Sequence, residues 1–414
     1  MTAGRILAYG LLGLPLAFAA LPIYVHVPRF YAEAAGMNLA LLGAILLGAR
    51  LFDAAIDPWL GWLADRVRRP RMVALALLPL SLGFIALLNP PRADAGLWLL
   101  ASLTLTYFGF SAASVAYQAW GAEIGDDSRQ RTRLTAAREG CGLIGVILAA
   151  VLPLLIAATL VDGVARLAWI LPPLLAVAAL ITFKDSLALP GGVSKPGVAA
   201  HRPVPVDLLP SLRRALADQS FRRLLLVFVA NGIAAALPAT LFLFFVADVL
   251  QLESASGPLL ALYFVSGAAS LPLWVTLAAR RGRVVAWGLA MGLSILAFAG
   301  ASQLAAGDLL PFALICLASG MALGADLTLP AAIAADMGER QGQAGACFGI
   351  WNLVAKLNLA LAAGLALPLL ALAGYTPGAA TGLPALIFAY ALLPLLFKAL
   401  AGLLLWRWRH SLEI

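Results

Sequence analysis

In RLFDAAIDPWLGWLADR (50–66), Asp53, Asp57 and Arg50 interrupt an apolar stretch that begins near Asn38 and closes with Asp65 and Arg66. On a helix, the four-residue spacing puts both acids on one face, and Arg50, three residues before Asp53, lies on nearly the same stripe. A lone charge at membrane depth costs at least ~2.5–3.5 kcal/mol on insertion scales, and two like charges repel in addition. The pair therefore needs a bound cation, a shared proton or a basic partner. Pro58 lacks an amide hydrogen and leaves the carbonyl of Ala54 without its helical donor, which adds an oxygen beside the acids. Carboxylates with a freed carbonyl suit Na⁺, and a coupled acid pair that shares a proton suits H⁺; the residues alone leave both open. The alternative is a buried ionic cluster that only fastens helices.

Lys356 is a second isolated charge, set between Leu353 and Leu359 on a long apolar segment, where its ammonium must pair or reach an interface. Asp326, in GMALGADLTLP, is another; contact with a solute or proton and structural pairing weigh equally for it. Lys398, near the end of the last apolar segment, is expected to snorkel and is given no role. His26 reads as an interfacial residue, and Cys141, Cys316 and Cys347 as buried small hydrophobes without metal-ligand spacing. Tyr117, Trp120 and Trp351 fit stacking on a solute and packing against lipid equally well.

The elements that position these groups must be membrane spans. Of the 414 residues, 63% are hydrophobic and only 12% charged, with a mean hydropathy of +0.95. Twelve spans are expected, at about 6–28, 38–64, 72–89, 97–122, 134–160, 164–183, 221–249, 257–279, 284–304, 309–335, 344–373 and 383–406. The expected fold is an all-α membrane protein of two pseudo-symmetric six-helix bundles, residues 1–184 and 221–414, joined by a flexible polar linker over 185–220. Nearly all loop Arg and Lys residues fall on one side, while Arg29, Arg92 and Arg166 fall on the other. This asymmetry predicts cytoplasmic termini and linker, and it removes the support that a net charge of +8 would lend to nucleic-acid binding. The first apolar segment is too long for a signal core and is expected to remain as the first helix.

GAEIGDDSRQR (121–131) and AADMGERQGQ (334–343) match at an offset of 213 residues, after the fourth and tenth spans. Such a duplication builds carriers that rock around a site between repeats. Mixed charges at these two helix ends, Glu123, Asp126, Arg129 and Arg131 against Asp336, Glu339 and Arg340, suggest a cytoplasmic gate of bridges between the halves; a solvated charge run is the alternative.

GWLADRVRRPR (61–71) resembles the loop signature between helices 2 and 3 of the major facilitator superfamily. More narrowly, Asp53, Asp57, Pro58, Gly61 and Asp65, R-x-R-T at 129–132 and the stretch 348–375 around Lys356 resemble the glycoside–pentoside–hexuronide:cation symporters, the melibiose-permease branch. The resemblance implies a secondary transporter in a bacterial-type inner membrane, coupled to Na⁺ or H⁺, without a cofactor and functional as a monomer. It implies that Asp53 and Asp57 bind the cation (as a metal site only if that cation is Na⁺) and that Lys356 lies beside them and pairs with one when the ion is absent. Ser111 is a neutral cation ligand by position, Asp65 holds the loop, and Arg50 belongs to the coupling group. Arg138 matches a sugar-contacting arginine across a one-residue gap and reads equally as part of a cytoplasmic charge cluster. With Asp326, Tyr117 and Trp351 it makes up the expected solute contacts.

Two departures bear on the substrate. The sugar-binding acids of the family's first and fourth helices fall here at Pro15 and Ser114, so melibiose itself is a poor expectation and a small organic solute is the broader one. A lysolipid-like amphiphile is the second expectation. A membrane prenyltransferase would need two acid-rich clusters, of which this chain supplies at most one, and no nucleotide-binding loop supports an ATP-driven pump. The chain is therefore not expected to be an enzyme.

Overall fold

The computed structural model describes residues 2–64, 66–91, 94–124, 128–184, 208–340 and 344–413. Among them, twelve helices are long and apolar enough to cross a membrane. They are α1 (Ala3–Ala34), α2 (Leu39–Gly61), α3 (Arg69–Leu87), α4 (Ala95–Gly121), α5 (Leu134–Ile156), α6 (Leu160–Phe183), α7 (Gln219–Val249), α8 (Glu253–Arg281), α9 (Arg283–Gln303), α10 (Leu309–Gly338), α11 (Gly349–Leu372) and α12 (Leu383–Leu412). Helices satisfy every backbone polar group internally, which is what hydrocarbon demands of a spanning chain.

Contacts in the first half recur six helices later. The pairs α2–α4, α3–α4 and α1–α5 have counterparts in α8–α10, α9–α10 and α7–α11. Small residues permit the closest approaches. A Cβ on Gly109 of α4 would stand 2.3 Å from the backbone nitrogen of Leu80 on α3, and one on Gly320 of α10 would stand 2.3 Å from the carbonyl oxygen of Tyr263 on α8.

The halves meet through α2 against α11 and α5 against α8. Their tight contacts, Gly43 with Pro368, Gly364 with Leu47 and Gly257 with Ala150, lie at the end of the bundle opposite the termini. At that end one apolar core runs through both halves, joining Phe30 and Tyr31 to Phe244, Phe245 and Tyr390. At the terminal end the second half keeps a separate core around Trp274, Trp287 and Leu405. There, among the described residues, nothing comes within 4 Å of a Cβ built on Gly61 or Gly349. Among the described residues the bundle is thus sealed at one end and parted at the end that carries the termini.

Arg29 helps make the seal. It is buried and pairs with Glu33 at 2.6 Å and with Glu253 at 3.7 Å, and it donates to the Leu243 carbonyl, linking α1 to α7 and α8. Beside it, the Tyr375 hydroxyl donates to Asp248, which also accepts from the Gly378 amide at 3.1 Å. Burial, reinforced by this carboxylate, pushes the Tyr375 phenol well above its usual range.

Three expectations change. The last part of the assigned linker is a helix, Leu208–Ala217, with Ala215 buried, so 185–220 is not flexible throughout; 185–207 lie outside the described residues. His26 is not interfacial: it is buried, with Nε2 3.2 Å from the Ala149 carbonyl and Nδ1 without a partner. Lys398 does not snorkel, because α12 continues to Leu412 and leaves residue 398 in mid-helix. The three cysteines are buried and unpaired, as their apolar settings predicted.

Candidate cation and solute sites

The α2 stripe meets α4 and α11 at one point. Lys356 Nζ from α11 stands 3.1 Å from Asp53 Oδ2, 2.6 Å from Asp57 Oδ2 and 3.1 Å from Ser111 Oγ of α4. Ser111 donates to Asp53 Oδ1 at 2.5 Å. Arg50 Nη1 pairs with Asp53 Oδ2 at 3.1 Å, and its guanidinium lies over the Tyr107 ring, 4.3 Å from the centroid. Two positive and two negative charges thus offset one another in a cluster that joins the two halves.

Access to the cluster is graded. The Asp53 side chain is 1% exposed, whereas Asp57 is 28% and Lys356 22% exposed. Asp57 Oδ1 is itself sealed from the surface and has no hydrogen-bond partner, which leaves one carboxylate oxygen uncommitted. Carboxylate and hydroxyl oxygens from three residues surround the ammonium, a hard-donor set whose chemistry suits a small monovalent cation or a proton. Among the described residues no group of three or more His, Cys, Asp or Glu is placed to hold a metal ion, so any Na⁺ site here rests on two acids and neutral oxygens.

The remaining expected positions scatter. Tyr117 is buried in packing: its hydroxyl donates to the Tyr9 carbonyl, Tyr9 donates to the Tyr117 carbonyl at 2.9 Å, and the two rings lie 4.6 Å apart. That commitment removes it from solute contact in this conformation. Trp351 stacks on Phe228 with centroids 3.6 Å apart. Arg138 pairs with its neighbour Glu139 at 2.6 Å and not with the α2 acids. Asp326 receives Lys398 and Trp287 in the second half.

Asp336, expected to bridge the halves, pairs with Arg283 inside the second half. Asp126 and Asp65 lie outside the described residues, as do the side chains of Glu123, Arg129, Arg131, Glu339, Arg340 and Pro58.

Sequence reasoning missed Tyr107, Trp287 and Lys398. Tyr107 precedes Ser111 by four residues on α4, and that spacing was its available signal. For Lys398 the signal was the presence of an unmatched acid, Asp326, in the same half.

The pattern of the family described as MFS/sugar transport protein matches residues 6–411. The chain belongs to this family. It is therefore a multi-pass member of the major facilitator superfamily, whose members are transporters and not enzymes. An uncharacterised symporter of Synechocystis sp. is 31% identical over 171 residues, 38% of this chain and 31% of the relative. The inner membrane symporter YicJ of Escherichia coli is 30% identical over 139 residues, 31% of this chain and 30% of the relative. The chain thus spans about a third of the length of the curated relatives it matches. Among solved structures, a bacterial homolog of the human lysosomal transporter Spinster, in an inward-facing and unoccupied conformation, superposes with a TM-score of 0.74 at 16% identity, covering 100% of this chain and 97% of that one. The nucleoside transporter NupG gives 0.71 at 13% identity, covering all of both chains. At these identities the superpositions establish the shared fold.

Proposed function

We propose that this family member is a cation-coupled symporter that carries a small organic solute by alternating access. One observation carries the proposal: the Lys356 ammonium from one half sits among Asp53, Asp57 and Ser111 from the other, where a monovalent cation would bind. Entry of Na⁺ or H⁺ at Asp57, the more exposed acid, removes the attraction that holds Lys356. The lysine and the cation compete for the same carboxylates, so ion binding changes the link between the halves. Solute binding in the central cavity then acts on a carrier whose interior charge has already been rearranged. The relatives named as symporters support the same direction of coupling.

The excess of basic residues on the terminal side supports a cytoplasmic location for that end, in a bacterial-type inner membrane. On that orientation the parted end faces inward and Arg29 closes the outer mouth. The carrier works as a monomer within the bilayer, with the solute and coupling cation as its partners and no cofactor. A lysolipid-like amphiphile is the second cargo, left open by the scarcity of acids that could bind a polar solute.

In proteoliposomes screened against a panel of solutes, with Na⁺ and pH gradients imposed separately, one gradient should drive accumulation. Asp57→Asn should reduce that accumulation at least tenfold, while insertion and thermal stability persist. Undiminished accumulation in D57N would remove the assigned role.

A further inference from the structure

Midway along α10 and α12, Lys398 Nζ lies 2.6 Å from Asp326 Oδ2, and Trp287 Nε1 donates to Asp326 Oδ1 at 2.8 Å. Both charged side chains are nearly sealed from the surface, yet both line one cavity. Its other walls are largely apolar, and their aromatic members include Tyr24 of α1, Phe242 of α7, Tyr263 of α8, Phe298 of α9 and Tyr390 of α12. Tyr24 and Tyr390 each sit in a π-helical turn, Pro22–His26 and Phe388–Leu392, a local widening that recurs where helices carry function. Tyr24 also lines a smaller opening with Arg50 and Tyr107, so one side chain faces both charge clusters.

Fastening α10 to α12 needs no cavity, and the distribution of hydrogen-bonding capacity says what the cavity is fit to take. Both oxygens of Asp326 are engaged. Lys398 has three donors and, among the described residues, gives one of them to the protein. No described hydrogen bond engages the hydroxyls of Tyr24, Tyr263 or Tyr390, and none of these oxygens is among the sealed polar atoms that lack a partner. Each of these hydroxyls can donate or accept, whereas the free hydrogens of Lys398 can only donate, so the group that matches the ammonium is an acceptor.

Charge points the same way. Arg50 and Lys356 offset Asp53 and Asp57, and Lys398 offsets Asp326. Entry of one cation leaves one uncompensated positive charge in a low-dielectric interior, which a monoanion cancels. The aromatic walls exclude water and receive an apolar body.

We propose that this cavity binds the transported solute, and that the solute is a compact organic acid, an apolar or aromatic body bearing one carboxylate held by Lys398. This assignment rests on the reading of the chain as a carrier and deepens it.

The test is equilibrium titration calorimetry on the full-length purified protein with no ion gradient. The probes are phenylacetate, cyclohexanecarboxylate and hexanoate, each paired with its primary amide. At least one acid should bind, and its amide should bind about tenfold more weakly or worse, the worth of a charge-assisted hydrogen bond. Lys398→Gln should lose about tenfold or more in acid affinity, Lys398→Arg should recover part of it, and Asp326→Asn should retain or tighten binding because it frees the ammonium. Failure of all three acids to bind, equal affinity for acid and amide, or an equal loss in D326N and K398Q would overturn the assignment.

The thermal response to cations reports the separate cluster at Asp53 and Asp57 and serves as the folding control. If K398Q alone loses that response, the uncharged pair D326N/K398Q replaces it; acid binding retained in the double variant would also overturn the assignment. Acid binding in a parent protein that shows no cation response would sink the symport reading and leave the cavity assignment standing.

Discussion

The ammonium of Lys356 has three hydrogens and meets three oxygens, those of Asp53, Asp57 and Ser111. Removing it leaves two carboxylates facing one another with only Arg50 to offset them. Lys356→Gln should therefore lower the thermal stability of the purified protein in cation-poor buffer, by up to about 3–5 kcal/mol, the cost of breaking a buried pair. The partial exposure of Asp57 and Lys356 places the expectation at the low end. K356Q/D57N should recover most of the loss, and K356Q as stable as the parent protein would show that the pairing is incidental. Much of this cluster was legible beforehand, because a charge in an apolar span has few explanations and each acid needed a partner. Ser111 came only by resemblance. Lys398 was misread for a physical reason: with the last span expected to stop at 406, the residue lay near an interface, whereas the helix continues to Leu412 and puts it at depth. The Arg50–Tyr107 stacking was hidden, since an aromatic ring in a span carries no mark that separates a cation partner from lipid-facing packing.

Helices pack here by the removal of side chains. Gly109→Ala should be destabilising by about 1–3 kcal/mol, seen as a lower midpoint of thermal unfolding, because its Cβ would meet the backbone of Leu80, which cannot rotate away. An unchanged midpoint would mean that α3 and α4 can separate without cost. The number and order of spans followed from hydropathy alone, yet their ends did not. Helical hydrogen bonding continues past the apolar window, so α4 runs on to Ile124 and the α10 helix to Arg340. The helix Leu208–Ala217 lay hidden in a segment whose Pro and Gly content reads as linker, although its Arg213 and Arg214 beside buried Ala215 form an amphipathic pattern. The π turns of α1, α7 and α12 left no trace in hydrophobic periodicity, which one extra residue in a turn barely disturbs.

At the scale of the whole molecule, the contrast between the sealed and parted ends follows from where the halves share a core. The internal repeat announced two halves, but no sequence pattern said which mouth would be closed, because residue types tell what lines a mouth and not whether it is shut. Arg29 holds the closed one through α7 and α8, and the loss of a charge-assisted bond there is worth about 1.5–3 kcal/mol. Thr240 of α7 is buried and lines the smaller opening beside Tyr24 and Arg50, so Arg29→Gln should raise the labelling rate of Thr240→Cys by an impermeant maleimide about tenfold, in a background lacking the native cysteines; an unchanged rate would show that apolar packing alone keeps this mouth shut. The account as a whole depends on a cation and Lys356 contending for the same two carboxylates, and the thermal stability of the purified protein titrated with Na⁺ and with pH tests this most directly, since a ligand that binds only the folded state stabilises it. The prediction is a rise in midpoint with one of the two ions that disappears in both Asp53→Asn and Asp57→Asn; a response that survives in both variants, or a parent protein indifferent to both ions, would contradict it.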